Sequence, residues 1–353
     1  DIDYHIYALD EMMQREPDTI QTVLAHLASG LETGTYRPLP HHDWPFTHIL
    51  EAFTWMRSAK HTGKCVLVPP KPVLPSINVD GAYLITGGLG GIGYTLAKQL
   101  LADGARTLLL TGRQKRTAAV RKQLSALAAR APHAKIEYRT LPFDAKAVSR
   151  LTTWLRSRRL QAVFHTAGCL ADQTLEHLTW AAIDAVAVPK VDGVCALQAA
   201  LDAVGQPDTP LILFSSIAAL LGSGGQANYG AANSFLDGFA VYRQAHGYPT
   251  QSIAWGPWAE VGMAKVLTSR HARYGLKAIK PTTGIEALMA CVHETDSYFS
   301  ILHMDWKKWH PLYADGLLEQ VLSTHTQASD LIDRLERLPR DAQQATLSEV
   351  VKQ

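Results

Sequence analysis

From residue 82 onward, short apolar runs alternate with longer segments whose apolar residues recur every three or four positions. The runs are AYLIT (82–86), TLLLT (107–111), IEYRTL (136–141), AVFHTA (162–167), LILFSS (211–216), QSIAW (251–255) and YFSIL (298–302). Most are apolar at nearly every position, which is the pattern of a strand buried on both faces. Between them, residues 91–103, 117–130, 146–158 and 228–246 have the length and periodicity of helices. Strands that alternate with helices predict a parallel sheet covered on both sides. Right-handed crossovers then make the fold class α/β, a doubly wound Rossmann-type sheet.

The first 70 residues read differently. PDTIQTVLAHLASG (17–30) predicts a helix with Pro17 near its start and Gly30 past its end. THILEAFTWMRSA (47–59) predicts a second helix with Ile49, Phe53 and Met56 on one face, and GKCVLV (63–68) a strand. Two helices and so few strand signals are too little for an independent core. PPKPVLPSINVD (69–80) carries four prolines, and predicts an extended linker. At the far end, Leu331, Leu335 and Leu338 fall on one helical face with charges opposite. The expected organisation is a fragment over 1–70, a linker over 71–80, a catalytic domain over 81–312 and a second linker over 313–353. The chain opens on Asp1, so a piece of something longer is expected.

Composition narrows the function classes. Of the 353 residues, 47% are hydrophobic, ample for a sizeable core, and the formal charge of +2 argues against a nucleic-acid surface. No apolar stretch approaches the roughly 18 residues of a membrane span. Residues 1–20 are polar and acidic, unlike a signal peptide. Cys65, Cys169, Cys195 and Cys291 are scattered without a CxxC pair, which predicts free thiols in a reducing compartment and a cytoplasmic location. The fifteen histidines show no metal-ligand spacing, so no metal is expected, and His165 reads as a packed strand residue.

Chemistry begins at the first strand of the alternating pattern. Thr86-Gly87-Gly88-Leu89-Gly90-Gly91-Ile92-Gly93 joins that strand to a helix, where a dinucleotide pyrophosphate meets a helix N-terminus. Glycine lets the backbone approach the phosphates and adopt positive φ. An NAD site places an acid near the end of the second strand to hold the ribose diol. Here that place holds Thr111 and Gly112, followed by Arg113, whose planar fork can grip a 2′-phosphate. NADPH is therefore the expected cofactor.

Ser216 ends the fifth strand, and Tyr229 follows thirteen residues later at the start of a helix carrying Asn233 one turn on. Together with the glycine turn, this spacing resembles the short-chain dehydrogenase/reductase superfamily. That superfamily usually has Lys one turn after the Tyr, where this chain has Asn233, while a lysine occurs at Lys190 in AVAVPKVDG. The exchange resembles the ketoreductase domains of modular polyketide synthases, as do FHTAG (164–168), GQANYGAAN (225–233) and WGPW (255–258). The resemblance covers about residues 80–310. Residues 36–68 resemble the C-terminal tail of an enoylreductase domain, and 331–353 the lead-in to an acyl carrier domain whose own attachment site is not in this sequence.

The resemblance implies hydride reduction of a β-ketoacyl thioester carried on the phosphopantetheine of an acyl carrier protein, with other domains of the same synthase as partners. It implies Tyr229 as proton donor and Ser216 as a hydrogen-bond donor to the carbonyl. Lys190 would favour the phenolate and hold the nicotinamide ribose, and Asn233 would anchor Lys190 or a water. It adds Asp144, Ala167 and Gly168 to the cofactor contacts. In that family, an Asp of a Leu-Asp-Asp motif marks enzymes making the D (usually 3R) alcohol, and a Trp eight residues before the Tyr marks the opposite class. This chain has Leu170-Ala171-Asp172 and, in place of the Trp, Leu221, so a D product is expected. Two other readings stand beside this one: a ketoreductase-like domain that only organises its module, and a free-standing short-chain alcohol dehydrogenase. The intact glycine turn and Tyr229 count against the first. The lysine–asparagine exchange and the flanking fragments count against the second.

Overall fold

The computed structural model describes residues 9–59, 61–68, 73–74, 76–261, 275–305 and 308. The helix expected around 331–338 lies outside them. The chain divides into two units, Asp1–Pro70 and Lys71–Gln353.

The first unit contains α1 (Leu9–Arg15), α2 (Pro17–Glu32), β1 (His41–Pro45), α3 (Ile49–Arg57) and β2 (Lys64–Val68), and its two strands pair in parallel. Gly30 does not end α2 as its position suggests. It lies inside the helix, where a Cβ would stand 2.0 Å from the Tyr36 ring, and the positive φ belongs to Gly34. Close packing, not capping, explains that glycine. The expected apolar face of α3 points outward, with Phe53 57% and Met56 43% exposed, while Ala52 is buried. That agrees with a unit too small to cover its own apolar surface.

The second unit is built on seven parallel strands. In chain order these are β3 (Ala82–Thr86), β4 (Thr107–Gly112), β5 (Lys135–Thr140), β6 (Leu160–His165), β7 (Leu211–Ser216), β8 (Thr250–Trp255) and, after a two-residue strand β9 (Leu276–Lys277), β10 (Tyr298–Ile301). Their spatial order is β10-β8-β7-β6-β3-β4-β5. Strand β9 instead pairs antiparallel with β11 (His303–Met304). Period-two geometry sends alternate residues of each strand to opposite faces. Tyr83, Ile85, Leu108 and Leu110 join one hydrophobic cluster, and Ala82, Leu84 and Leu109 the other. Helices α4 (Gly91–Ala102), α5 (Ala118–Arg130) and α11 (Pro281–Val292) contribute to the first cluster. Helices α6 (Ala147–Leu155), α8 (Gly193–Ala203) and α10 (Ala227–Ala245) contribute to the second. Both faces are covered, which is why the strands read as continuous apolar runs.

The proline-rich segment is more than a spacer where it is described. Val73 and Leu74 are buried, and their amides bond the carbonyls of Glu294 and Val292 at the end of α11. All four cysteines are free thiols. Among the described residues, no helix is long and apolar enough to cross a membrane.

One ion cluster fastens α6 to the sheet edge. Glu137 on β5 accepts hydrogen bonds from Trp154 Nε1 at 3.1 Å and from the Arg158 guanidinium at 3.0 and 3.1 Å, with Lys135 at 3.2 Å. Partial burial pushes the Glu137 carboxyl up. Hydrogen bonds from Trp154, Arg158 and Lys135 and the Arg158 charge outweigh it, bringing the pKa down to about 2. The folded value lies below the unfolded one of about 4.3, so the stabilisation is complete above that pH and lost as pH falls through about 2. We expect Glu137→Gln to cost about 2 kcal/mol near neutral pH, after allowance for solvent screening, and to flatten the acid decline between about pH 4.5 and 2. Urea unfolding of both proteins across this range measures it.

Candidate active site

The sheet order reverses between β3 and β6, and crevices at such reversals, outside the carboxyl ends of strands, take ligands. The glycine turn opens here. Gly87 has φ +66°, and a Cβ on Gly93 would stand 2.5 Å from the Gly87 carbonyl oxygen and 2.9 Å from Thr166 Oγ1. No larger residue fits while the turn lies this close to α4 and β6. The first amides of α4 have no intrahelical partner and face the crevice with the positive end of the helix dipole. Thr86 is buried beneath the turn. Its Oγ1 lies 2.7 Å from His165 Nδ1 and accepts from the Ala167 amide at 3.3 Å. His165 is thus hydrogen-bonded under the site as well as packed.

A cavity of about 640 Å³ lies over this floor, within the size range of a cofactor site. Residues 87 and 89–93 of the turn line it with Arg113, Asp144, Ala167 and Gly168, whereas Thr86 and Gly88 sit below its surface. Arg113 is exposed and, among the described residues, pairs with no carboxylate. Its loop is pinned because the Gln114 carbonyl accepts from Tyr138 Oη at 2.7 Å and Thr140 Oγ1 at 2.8 Å. Asp144, on the wall of this cavity, has partners of its own, an ion pair to Arg150 and the Lys146 amide at 2.9 Å. The close-packed glycine turn and the cavity fit a dinucleotide.

Lys190 reaches the site by a distortion that the chain builds in. Between α7 (Trp180–Ala187) and α8, residues Val188–Asp192 form a π-helical turn. Pro189 has no N–H, so the bond it would make to the Ala185 carbonyl is missing and the turn widens. Cys169 Sγ–H takes that carbonyl instead, at 2.8 Å. Lys190, only 3% exposed, bonds the Phe214 carbonyl at 2.8 Å and lies 5.7 Å from the centre of the Tyr229 ring. Burial pulls its pKa down to about 8, although Asp237 and Cys169 pull the other way.

Tyr229 stands in the first turn of α10, partly buried, with its amide bonded to Asn228 Oδ1 at 2.9 Å. Burial raises its pKa, against the opposing effect of Ser216 and Asn233. Desolvation is the largest of these influences and favours the protonated phenol. Ser216 caps its own turn, its Oγ accepting from the Ala218 amide at 3.2 Å. Asn233 donates to the Tyr229 carbonyl at 2.7 Å and does not bond Lys190; its Oδ1 is buried with no protein partner.

The loop after β6 is bound to the catalytic helix. Gln226 Nε2 donates to Asp172 Oδ2 at 3.0 Å, and Asn228 Nδ2 donates to the carbonyls of Ala171 and Ala182, both at 2.9 Å. Asp172 is therefore a fixed carboxylate near Tyr229, whose ionisation it opposes. Leu221 closes the short α9 (Ala218–Leu221), ahead of Gly222 with φ +71°. Sequence reasoning overlooked Cys169, Gln226 and Asn228. The one available signal was Pro189 within a helical pattern.

Fold and site together define a nicotinamide-dependent reductase of the short-chain dehydrogenase type. The chain belongs to the KR domain family, the ketoreductases found in polyketide synthases, whose model matches residues 81–260, half of the chain. It is 33% identical to phthioceranic/hydroxyphthioceranic acid synthase of Mycobacterium tuberculosis, over 87% of this chain and 15% of that protein. It is 31% identical to mycoketide-CoA synthase of the same species, over 98% of this chain and 9% of that one. A solved structure of A-type ketoreductases from a modular polyketide synthase is 33% identical with a TM-score of 0.62, covering 73% of this chain and 55% of its own. The chain thus spans a small part of the curated relatives it matches.

Proposed function

We propose that this chain reduces a β-ketoacyl thioester, presented on an acyl carrier protein within a polyketide synthase module, to the D (3R) β-hydroxyacyl thioester, using NADPH. The observation that carries the reading is the seating of Lys190 by the π-turn against Tyr229, with Ser216 and Asn233 beside the same ring. Residues 1–70, read as an enoylreductase tail, and 313–353, read as a carrier-domain linker, are the flanks of such a module. The mycoketide-CoA synthase resemblance, which runs through nearly the whole chain, supports that reading.

The glycine turn would hold the pyrophosphate and Arg113 the 2′-phosphate. Hydride to the β-carbon is the chemistry the nicotinamide supplies when bound. Tyr229, kept protonated by burial, gives its proton to the carbonyl oxygen, on which Ser216 places a hydrogen bond. The Lys190 ammonium over the ring then stabilises the phenolate left behind. Asn233 Oδ1, buried without a protein partner, is placed to accept from a water that resupplies the proton.

NADPH oxidation with a short β-ketoacyl thioester tests the reading. Tyr229→Phe should lower kcat at least about a hundredfold, the scale of general acid catalysis, with NADPH affinity within about twofold. Substantial activity in that variant would mean the proton donor lies elsewhere.

Arg113→Asp should reduce or reverse the preference for NADPH over NADH, read as the ratio of the two kcat/KM values. An unchanged ratio would remove Arg113 from the phosphate site.

The D course is read from Asp172, in the loop that Gln226 and Asn228 hold. Chiral chromatography of the alcohol should give a predominantly D product, and a predominantly L product would overturn the role given to Asp172.

A further inference from the structure

Lys190 carries a charge in a place that water does not reach. Its one carbonyl partner, Phe214, supplies a dipole, while an ammonium has three donors and a buried charge is costly unless an anion balances it. The groups that face it come from three directions. Tyr229 and Asp237 project from α10, Cys169 from the loop after β6, and His165 from the end of β6, where burial foremost keeps the imidazole neutral with a pKa of about 3. Asp237 is the carboxylate of this group, and it acts on Lys190 through space, without a direct ion pair.

We propose that Asp237 is a positioning residue for the reduction, the counter-ion that keeps Lys190 protonated. It lies two turns beyond Tyr229 and one beyond Asn233, so the three share a face of α10. Its Oδ1 accepts from Ser252 Oγ at 2.6 Å, and Ser252 is a fully buried residue of β8. Ser215, on the neighbouring strand, donates its hydroxyl to the Asn233 carbonyl at 3.2 Å and favours the ionised form of Asp237. Ser215 follows Phe214, whose carbonyl holds the lysine. Buried hydroxyls need partners: the Asp237 carboxylate is that of Ser252, and the Asn233 carbonyl that of Ser215. Burial is the largest influence on Asp237 and raises its pKa, while Ser252, Ser215 and the Lys190 charge oppose that. Asp237 does not line the nucleotide cavity. It acts through the lysine, and without it the ammonium loses its proton at lower pH, leaving the phenolate of Tyr229 with no balancing charge.

The inference rests on Lys190 belonging to the reducing set, but its proton can be followed without turnover. Protein labelled with ¹³C and ¹⁵N in its lysine side chains is titrated by NMR, the Lys190 signal being the one missing from Lys190→Met. Asp237→Asn keeps the shape and the Ser252 bond while removing the charge. Lys190 is expected to titrate near 8 in the wild type and about one pH unit lower in Asp237→Asn, a tenfold change in proton affinity. The basic limb of kcat/KM should move down by the same amount, and Asp237→Glu should move it back. A packing role alone would lower the urea midpoint and leave the titration where it was, and that result overturns the proposal. Asp237→Ser is a second neutral variant that reads the same shift should the first not fold. A wild type that reduces no thioester would sink the proposed function, and the NMR titration would still decide this one.

Discussion

The site depends on one missing hydrogen bond. Pro189 cannot donate to the Ala185 carbonyl, so the path from α7 into α8 widens into a π-turn at Val188–Asp192. Widening places Lys190 on the inner side of the turn, where its side chain reaches across to Phe214 at the end of β7. The residue that restores the α-helix is Gly193, and a Cβ there would stand 2.9 Å from His165 Cε1. The helix therefore lies directly against the end of β6, and through His165 and Thr86 against the glycine turn. A regular helix would carry Lys190 on a different face. The lysine, the nucleotide floor and the loop bearing Cys169 are set by the same local departure from regularity.

Burial then decides the protonation states. It raises the Tyr229 phenol and lowers the Lys190 ammonium to about 8, moving the two in the directions that disfavour charge on each. The resting pair is a neutral phenol beside a lysine poised near physiological pH. Low polarity also strengthens the attraction between the two once the phenol ionises. A surface lysine at the same 5.7 Å from the ring would be screened by water and worth little. What makes the ammonium costly to keep is what makes it effective.

Much of the fold was legible because two-sided burial turns strands into apolar runs. The predicted strand starts fall within two residues of those observed, and β3 and β7 match throughout. The glycine turn was legible because close approach admits no side chain. Features set by tertiary contacts were not. The α3 stripe of Phe53 and Met56 looks like a core face but points outward, since its unit offers too little to pack against. Gly30 looks like a helix stop, yet it makes room for Tyr36. Val73 and Leu74 sit among prolines that suggest a free linker, yet they are buried beside α11. Asp144 reads as an unpaired loop carboxylate, yet Arg150 pairs with it. Asp237 reads as an ordinary polar helix position, because its meaning comes from serines on two strands and a lysine 47 residues earlier in the sequence.

The loop after β6 shows why cofactor and substrate recognition are hard to separate in this fold. Within six residues it supplies Ala167 and Gly168 to the nucleotide cavity, Cys169 to the π-turn carbonyl and Asp172 to Gln226 at the start of α10. Asn228 uses both of its amide hydrogens, on Ala171 and Ala182, and its oxygen on the Tyr229 amide. One side chain therefore ties this loop, α7 and the first turn of the catalytic helix together. Hydride and proton must reach the two ends of one carbonyl within the same narrow geometry. A loop free to move relative to Tyr229 would let the ketone turn either face to the cofactor. Under the proposed function, the loop bound as it is would change the orientation of the substrate only through a change of side chain, leaving Tyr229 where it stands.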